Sequence, residues 1–255
     1  MIVRKSPSDI EGLRQAGRVV AVAHERMEAA GRVGGTTRDL DAVAREVIAE
    51  FGATSAFLDY HPHFAPSPFP GVICASVNDV IVHGWPNDVP LEDGDVVSID
   101  FGVHLDGWVG DAARSWIVGE ERPEDRKLID DTTAALYAGI EQAVPGNRMG
   151  DVANAIGTIA RSNGYGIPEG WGGHGVGREM HEDPPVPNEG IPGRGLKLKA
   201  GLVIAIEPMF HAGGDDGFTL DDDGWTVRTA DGSRAAHVEH TIAITDDGPR
   251  ILTLP

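Results

Sequence analysis

Cysteine is almost absent from this sequence, and long hydrophobic runs are absent altogether. Cys74 is the single cysteine among 255 residues. One thiol excludes both an intramolecular disulfide and a zinc site built from several cysteines. No segment approaches the roughly 20 consecutive apolar residues that a membrane-spanning helix needs, and residues 1–7 do not resemble a signal peptide. We therefore expect a cytoplasmic protein with no membrane partner.

Positive charge is also scarce. The chain has 21 Lys and Arg against 40 Asp and Glu, which gives a formal net charge of −19. This balance disfavours non-specific binding to nucleic acid, so no DNA partner is expected. The hydrophobic fraction of 41% is enough for a core. With 40 acids in 255 residues, a single Asp or Glu is informative only where its neighbours predict burial.

The order of predicted elements is the same in two halves of the chain, about 8–120 and 121–253. Each half has two amphipathic helices followed by strand-like segments. Four helices are predicted. The first begins at a capping box, Ser8–Glu11, and the second covers about 38–50. The third begins at Pro123, and the fourth includes Val152–Ala160. The strand-like segments are 71–82, 96–118, 202–210 and 237–245. Because no linker separates the halves, we expect one α+β domain over residues 1–255.

Two aspartates lie in neighbouring strands that are otherwise apolar. The dipeptide Asp106-Gly107 predicts a two-residue hairpin turn. With this turn Asp100 opposes Ala113, and Asp111 lies two positions further along on the same face. A four-residue turn would place the two aspartates directly opposite each other. Both registers put the carboxylates on one face, with their Cβ atoms about 4.5–8 Å apart.

Two ionised carboxylates this close are costly unless a proton or a cation lies between them. Alternatively, Asp111 pairs with Arg114 and Asp100 is a solvated edge residue. Two further acids favour the cation. Glu207 ends a wholly apolar strand and Glu239 lies inside another, and no lysine is near either in sequence.

His174 lies within the glycine-rich segment 172–177, and His181 follows seven residues later. A histidine in a glycine loop is more often hydrogen-bonded or exposed than a metal ligand. Together with the four acids, however, it gives an oxygen-rich set with one nitrogen. This set suits Mn, Fe, Co or Zn in a paired, partly open site and does not suit a closed structural zinc. Since two such ions can activate a water and polarise a carbonyl or phosphoryl oxygen, the residues predict a two-metal hydrolase.

These motifs together resemble the methionine aminopeptidases, specifically the bacterial type I form. The stretches that carry the resemblance are 76–84, 97–115, 173–184, 206–208, 224–227 and 238–241. The resemblance implies the pita-bread (creatinase/aminopeptidase) fold, a pseudo-two-fold duplication of helix-helix-hairpin units around a curved antiparallel sheet. It also implies two divalent metal cations (Co, Mn, Fe or Zn), with Asp111 and Glu239 bridging. The implied ligands are Asp100, Asp111, His174, Glu207 and Glu239.

The implied activity is removal of the N-terminal methionine from nascent proteins and peptides when the second residue is small. Water activated by two metals attacks the first peptide bond. Glu207 shuttles the proton, His181 stabilises the oxyanion, and His83 contacts the substrate near the scissile nitrogen or leaving amine. The resemblance further implies the N-terminal peptide of a nascent protein as partner and a monomeric chain, and it leaves ribosome association open.

The resemblance assigns the pocket for the methionine side chain to Phe57, Tyr60, Cys74, Met180 and Trp225, with His83 and His181 beside it. Phe57 and Met180 stand where the family pattern has a cysteine and a phenylalanine. The proline-rich segment 61–70 is longer than usual and is predicted to be a rigid loop.

Four other functions compete with this one. Proline-specific aminopeptidases and dipeptidases with the same fold carry an extra N-terminal domain for which this chain has no room. Type II methionine aminopeptidases carry a long insertion in the second half. A two-metal nuclease would need a basic channel, which the net charge of −19 disfavours. A binding module without catalysis would be expected to lose ligands, and all five are present.

Overall fold

The computed structural model describes residues 2–63 and 65–255. Four helices pair in chain order, and each pair precedes a group of strands, as the duplicated pattern predicts. The helices are α1 (Pro7–Ala30), α2 (Thr37–Phe51), α3 (Pro123–Gln142) and α4 (Met149–Ser162). None of the helices in the described residues is both long enough and apolar enough to cross a membrane.

The first helix begins two residues earlier than its predicted capping box. The Ser6 hydroxyl accepts a hydrogen bond from the backbone N–H of Asp9, and the Asp9 carboxylate accepts one from the backbone N–H of Ser6. Pro7 occupies the first helical position, where its fixed φ suits the helix and its missing N–H costs nothing. The predicted box at Ser8–Glu11 is therefore wrong, because Pro7 extends the helix toward the N-terminus.

All strand pairs among the described residues are antiparallel. The strands of the first half are β1 (Thr54–Ser55), β2 (Cys74–Val77), β3 (Val80–Val82), β4 (Asp95–Leu105) and β5 (Trp108–Val118). Those of the second half are β6 (Gly172–Gly175), β7 (Glu182–Pro187), β8 (Val203–Ile206), β9 (Met209–His211), β10 (Phe218–Leu220), β11 (Val227–Thr229), β12 (Ala235–His237), β13 (His240–Thr245) and β14 (Gly248–Ile251). One main sheet has β5 on one edge of β4 and β1 and β2 on the other, and the second has the order β14-β13-β8-β6-β7.

Two of the predicted strands are interrupted at their acids. The segment 202–210 breaks at Glu207-Pro208, between β8 and β9, and the segment 237–245 breaks after β12. Glu239 therefore lies in the gap before β13, and its predicted position inside a continuous strand is wrong. Pro208 has no N–H for a sheet ladder, which is one physical reason for the first break.

Each half has its own hydrophobic core, and a third cluster lies between them. The apolar stripe of α1 packs on the first sheet and is buried, and it includes Ile10, Leu13, Gly17, Val20, His24 and Met27. The second core joins α3 and α4 to β8 and β13. The halves are also hydrogen-bonded to each other, since Glu239 N donates to Ala113 O at 2.9 Å and Thr241 Oγ1 donates to Asp111 O at 2.7 Å. These bonds bring the acids of both sheets to one place.

Candidate metal centre and substrate pocket

The β4–β5 hairpin has the register of the two-residue turn. Asp106 and Gly107 have φ values of 50° and 75°, as a type I′ turn requires. Asp100 pairs with Ala113, and Asp111 pairs with Gly102. The two carboxylates therefore share one face, two positions apart along the ladder. This confirms the first of the two predicted registers.

The alternative pairing of Asp111 with Arg114 is not formed. The Arg114 guanidinium lies 3.8 Å from Glu28 on α1. Asp111 is 1% exposed, and its Oδ2 lies 3.5 Å from His174 Nε2. The carboxylate thus faces a potential metal ligand rather than a guanidinium.

His174 lies in β6, where the register shifts between Gly173 and Gly175. Its Nδ1 lies 2.9 Å from the carbonyl oxygen of Gly175. A carbonyl only accepts, so Nδ1 carries a proton in this contact. Nε2 lies 3.5 Å from Asp111 Oδ2 and 3.7 Å from Glu207 Oε1. Nε2 is thus the ring nitrogen that faces both carboxylates, and it could bind a cation in exchange for its proton.

The side chains form two overlapping groups that could each hold a metal ion. Asp111, His174 and Glu239 form one group, and Glu207, His237 and Glu239 form the other. Within each group, ligand atoms lie within 4.8 Å of one another. Glu239, 2% exposed, belongs to both groups, which is the placement expected for a bridging ligand. Asp100 belongs to neither group at this distance.

His237 is the residue at this centre that the sequence analysis missed. It lies in β12, is 2% exposed, and its Nε2 is 3.3 Å from Glu207 Oε2. The sequence did contain a signal for it. Residues two apart in a strand point to the same face, and His237 lies two residues before Glu239 in an apolar segment.

Asp100, Asp111 and Glu239 are destabilised as anions. Burial, followed by the charges of Asp111 and Glu207, raises the pKa of both Asp100 and Glu239 well above the usual range. Burial also raises the pKa of the Asp111 carboxyl, against a hydrogen bond from His174 that lowers it. Burial alone would lower the pKa of His174, but Asp111 and Glu207 raise it to about 9. The centre thus gathers buried carboxyl groups whose ionised forms a bound cation would stabilise.

Several polar atoms of the centre have no hydrogen-bond partner within the described part of the chain. They are Asp100 Oδ1, Asp111 Oδ1, Glu239 Oε1 and His237 Nε2. Buried polar atoms are nearly always paired, and an orphaned group needs an explanation such as a bound ion. Carboxylate oxygens with imidazole nitrogens are ligands that suit Mn, Fe, Co or Zn. The donor set therefore fits divalent cations.

A cavity of about 300 Å³ opens above these carboxylates. Its lining includes every predicted pocket residue, namely Phe57, Tyr60, Cys74, His83, Met180, His181 and Trp225. It also includes five side chains that were not predicted, namely Phe69, Val82, Trp171, Met209 and His237. One end of the cavity is thus acidic, and its walls are aromatic and sulfur-bearing.

Cys74 lies beside the carboxylates because the register of β2 and β4 pairs it directly with Asp100. Burial, together with the charges of Asp100 and Asp111, raises the pKa of its thiol well above the usual range. A protonated thiol is a poor nucleophile. Cys74 therefore contributes to the wall of the cavity rather than to covalent chemistry.

His83 and His181 face the cavity in their neutral forms. Burial lowers the pKa of each to about 4, and the charge of His174 contributes to the shift at His181. His181 Nδ1 lies 3.2 Å from the Tyr60 hydroxyl. His83 has a φ of 60°, which is uncommon for a residue other than glycine and is typical of functional sites.

The proline-rich segment 61–70 is a loop in its described residues, and Phe64 lies outside them. Its base is closed by hydrogen bonds from Asp59 N to Phe69 O and from Phe69 N to Tyr60 O. Trp225 Nε1 donates to Ser67 O at 2.9 Å. The predicted loop is thus fixed to two residues of the cavity wall.

The chain is similar to known proteins over its whole length. The model of metallopeptidase family M24 matches residues 11–246. Methionine aminopeptidase 1 of Mycobacterium tuberculosis is 50% identical, over 100% of this chain and 96% of that protein. The crystal structure of methionine aminopeptidase from Thermotoga maritima superposes with a TM-score of 0.95 at 40% identity, over 100% of both chains.

A more distant neighbour shares the fold alone. The prolidase from Pyrococcus horikoshii superposes with a TM-score of 0.79 at 23% identity, over 99% of this chain and 64% of that one. The methionine aminopeptidases and the prolidases have the pita-bread fold, which confirms the predicted fold class.

Proposed function

Since the chain belongs to metallopeptidase family M24 and, within it, to the methionine aminopeptidases, we propose a dinuclear metal centre as the basis of its activity. The chain is a hydrolase that removes the N-terminal methionine from proteins and peptides. We assign the metal ligands to Asp100, Asp111, His174, Glu207 and Glu239. The observation that carries this assignment is the set of buried carboxylate oxygens without a hydrogen-bond partner in the described residues.

Two divalent cations of the Co, Mn, Fe or Zn type would supply Lewis acidity toward the scissile carbonyl and lower the pKa of the attacking water. Asp111 and Glu239 would be the ligands shared by the two ions. Glu239 belongs to both groups, and the Asp111 carboxylate is 1% exposed beside His174. Glu207 is less buried than Glu239 and faces the cavity. Glu207 is therefore the acid that accepts and passes on the proton of the water.

His181 stabilises the oxyanion that develops on the scissile carbonyl. If the Tyr60 hydroxyl donates to His181 Nδ1, the remaining ring proton lies on Nε2. A neutral imidazole in this tautomer is a hydrogen-bond donor toward the cavity. His83 lies between the rings of Trp171 and Trp225, at centroid distances of 5.2 and 6.0 Å, and contacts the scissile nitrogen or leaving amine.

The methionine side chain binds among Phe57, Tyr60, Cys74, Met180 and Trp225. Sulfur makes favourable contacts with aromatic rings and with other polarisable groups. The ring of Tyr60 lies 6.5 Å from that of Trp225. An unbranched thioether can enter such a pocket more easily than a side chain that is branched near its Cβ.

The remaining proposals concern the partner, the location, the domain organisation and the oligomeric state. The N-terminal peptide of a nascent protein is the partner that this activity needs, and nascent chains are made in the cytoplasm, where we place the enzyme. We propose that residues 1–255 act as one catalytic domain and as a monomer. Ribosome association remains a prediction.

The test is a peptide assay after metal reconstitution. The purified chain is stripped with chelator, reloaded with Mn or Co, and given Met-Ala-Ser and Leu-Ala-Ser at equal concentration. We expect release of methionine from the first peptide and almost no release of leucine from the second. Equal turnover of the two peptides would contradict the pocket assignment. Elemental analysis of the reloaded protein should give two metal ions per chain, and saturation of activity at one ion would contradict the dinuclear centre.

A further inference from the structure

Gly102 lies at the point where the metal centre meets the methionine pocket. It is on the same face of β4 as Asp100, and it pairs directly with Asp111. A Cβ atom at residue 102 would lie 2.9 Å from Cε1 of Phe57 and 3.2 Å from Cε of Met180. A separation of 2.9 Å is shorter than packed carbon atoms tolerate, so a side chain at residue 102 would displace the Phe57 ring. At 3.2 Å the Met180 methyl group would also have to shift slightly.

Phe57 cannot yield by moving its backbone away from β4. The backbone before Phe57 is bound to this strand, because Ala56 N donates to Gly102 O at 3.0 Å. Phe57 N donates to Ser55 Oγ at 3.1 Å, and Ser55 pairs with Val103. The Phe57 ring must therefore move by rotation of its own side chain.

The space into which these side chains can move is the methionine pocket. Phe57 and Met180 are each 7% exposed, so protein atoms surround them on their other sides. The Phe57 ring packs edge-on against Phe69 at a centroid distance of 6.4 Å. The empty volume beside both residues is the 300 Å³ cavity.

We propose that Gly102 is a specificity-determining position, because the missing side chain leaves the space that the Phe57 ring and the Met180 methyl group occupy. Gly102 thereby sets the length of side chain that the pocket accepts. The proposal rests on the assignment of Phe57 and Met180 to the methionine pocket. It also accounts for a bulky phenylalanine where the family pattern has a cysteine, since the ring takes up room that a side chain at residue 102 would fill.

The experiment is the variant Gly102→Ala with a series of X-Ala-Ser tripeptides in which X is methionine, norleucine, norvaline or alanine. We expect kcat/KM for methionine and norleucine to fall about tenfold or more, as for one methylene too many in an apolar pocket, with a smaller fall for norvaline and alanine. Metal content should equal that of the wild type. Gly35→Ala, the same change in a loop away from the cavity, is the matched control and should leave all four values unchanged.

If Gly102→Ala alone does not fold, the same substitution is tested in a chain that already carries Phe57→Leu. In Phe57→Leu, the ring atom that meets residue 102 is absent. Adding Gly102→Ala in that background should lower kcat/KM for methionine by no more than about threefold, because contacting positions are coupled. Any one of four outcomes would overturn the proposal. They are equal losses of kcat/KM for all four peptides, loss of metal, unchanged kcat/KM values across the series, and no rescue by Phe57→Leu.

Phe57→Ala separates this inference from the pocket assignment. If Phe57→Ala alters the preference for side-chain length and Gly102→Ala does not, only the role of Gly102 is wrong. If Phe57→Ala leaves the preference unchanged, the pocket assignment itself is wrong and the role of Gly102 fails with it.

Discussion

The two halves of the molecule position the residues of the proposed metal centre in different ways. In the first half, β4 and β5 are each eleven residues long and pair without interruption from Asp95 to Val118. Asp100 and Asp111 lie on this ladder at positions that the strand period alone fixes. In the second half the strands are short, and three of the four residues at the centre lie at irregularities.

These irregularities have a common effect. Glu207 follows the last residue of β8, Glu239 lies in the gap before β13, and His174 lies at the register shift of β6. Breaks and bulges in strands redirect side chains that a regular ladder would keep alternating. A regular ladder thus positions a ligand by itself, whereas an interrupted strand depends on tertiary hydrogen bonds to hold its ligand.

The largest effect should come from removing one ligand charge from either half. Asp111→Asn and Glu207→Gln keep the shape of the side chain but remove a charge from a site that both halves complete. We expect each to lose metal and to lower kcat/KM by at least about a hundredfold, since even residues that only support a ligand cost 10–100-fold. Metal analysis and peptide turnover measure both effects.

The exposed turn residue Asp246 supplies the matched control, because Asp246→Asn also removes one carboxylate. It should change neither metal content nor rate. Full metal loading in Asp111→Asn would refute the assignment of the hairpin to the metal centre.

A smaller effect on rate, with no effect on metal, is expected at His181. His181→Ala removes a donor toward the oxyanion, which typically costs about 10²–10³ in kcat. Tyr60→Phe, which removes only the hydroxyl beside His181 Nδ1, should cost less. Steady-state kinetics with metal analysis check both variants. Metal loss in His181→Ala would instead place this residue among the ligands.

The difference between the halves is tested most directly by two side chains, one that supports a residue of the second half and one that supports a residue of the first. Asn188 Nδ2 donates to the backbone oxygen of Glu207 at 2.9 Å, and Thr241 Oγ1 donates to that of Asp111 at 2.7 Å. Loss of either bond should cost about 1 kcal/mol of the free energy of unfolding. Asn188→Ala should also weaken metal binding about tenfold. Thr241→Val should change metal binding by less than about threefold, because the ladder still holds Asp111.

Metal titration of the two variants, alongside denaturant unfolding, separates these effects. Equal weakening of metal binding in both variants would remove the distinction between the regular and the interrupted halves.

An effect on acid stability rather than on activity is expected to be alike in the two halves. Burial lowers the pKa of His24 on α1 to about 3 and of His240 on β13 to about 4, against 6.5 for a free histidine. Below pH 6.5 the unfolded chain therefore binds protons that the folded chain does not, so stability falls as the pH falls toward these values. Each histidine contributes at most about 1.4 kcal/mol per pH unit.

His24→Gln, which can keep the donor to the carbonyl of Ala112, should flatten the decline in unfolding free energy between pH 6.5 and pH 4. His240→Gln should do so to a similar extent. Denaturant unfolding at several pH values measures the slopes, and parallel slopes for variant and wild type would contradict the prediction.

The contrast between the halves also explains which features of the site could be predicted from the sequence. The register of Asp100 and Asp111 followed from one turn dipeptide and the strand period. The end of α2 at Phe51 also agrees with the predicted range of about 38–50, because Gly52 takes the left-handed conformation that ends helices, with φ of 64°. The break before Glu239 and the role of His237 were missed. Pattern reasoning extends a run of strand-forming residues through the point where the chain turns toward another sheet.

The sequence by itself determined the local elements, the duplicated order of helices and strands, and the chemical types gathered at the centre. These depend on residue spacing and on turn and cap chemistry, which act over a few residues. Tertiary structure alone decided that Glu239 lies between two groups of ligands, that His237 faces Glu207, and that Gly102 leaves room for Phe57. Those placements come from the packing of two sheets against each other, and such contacts join residues that no local pattern links.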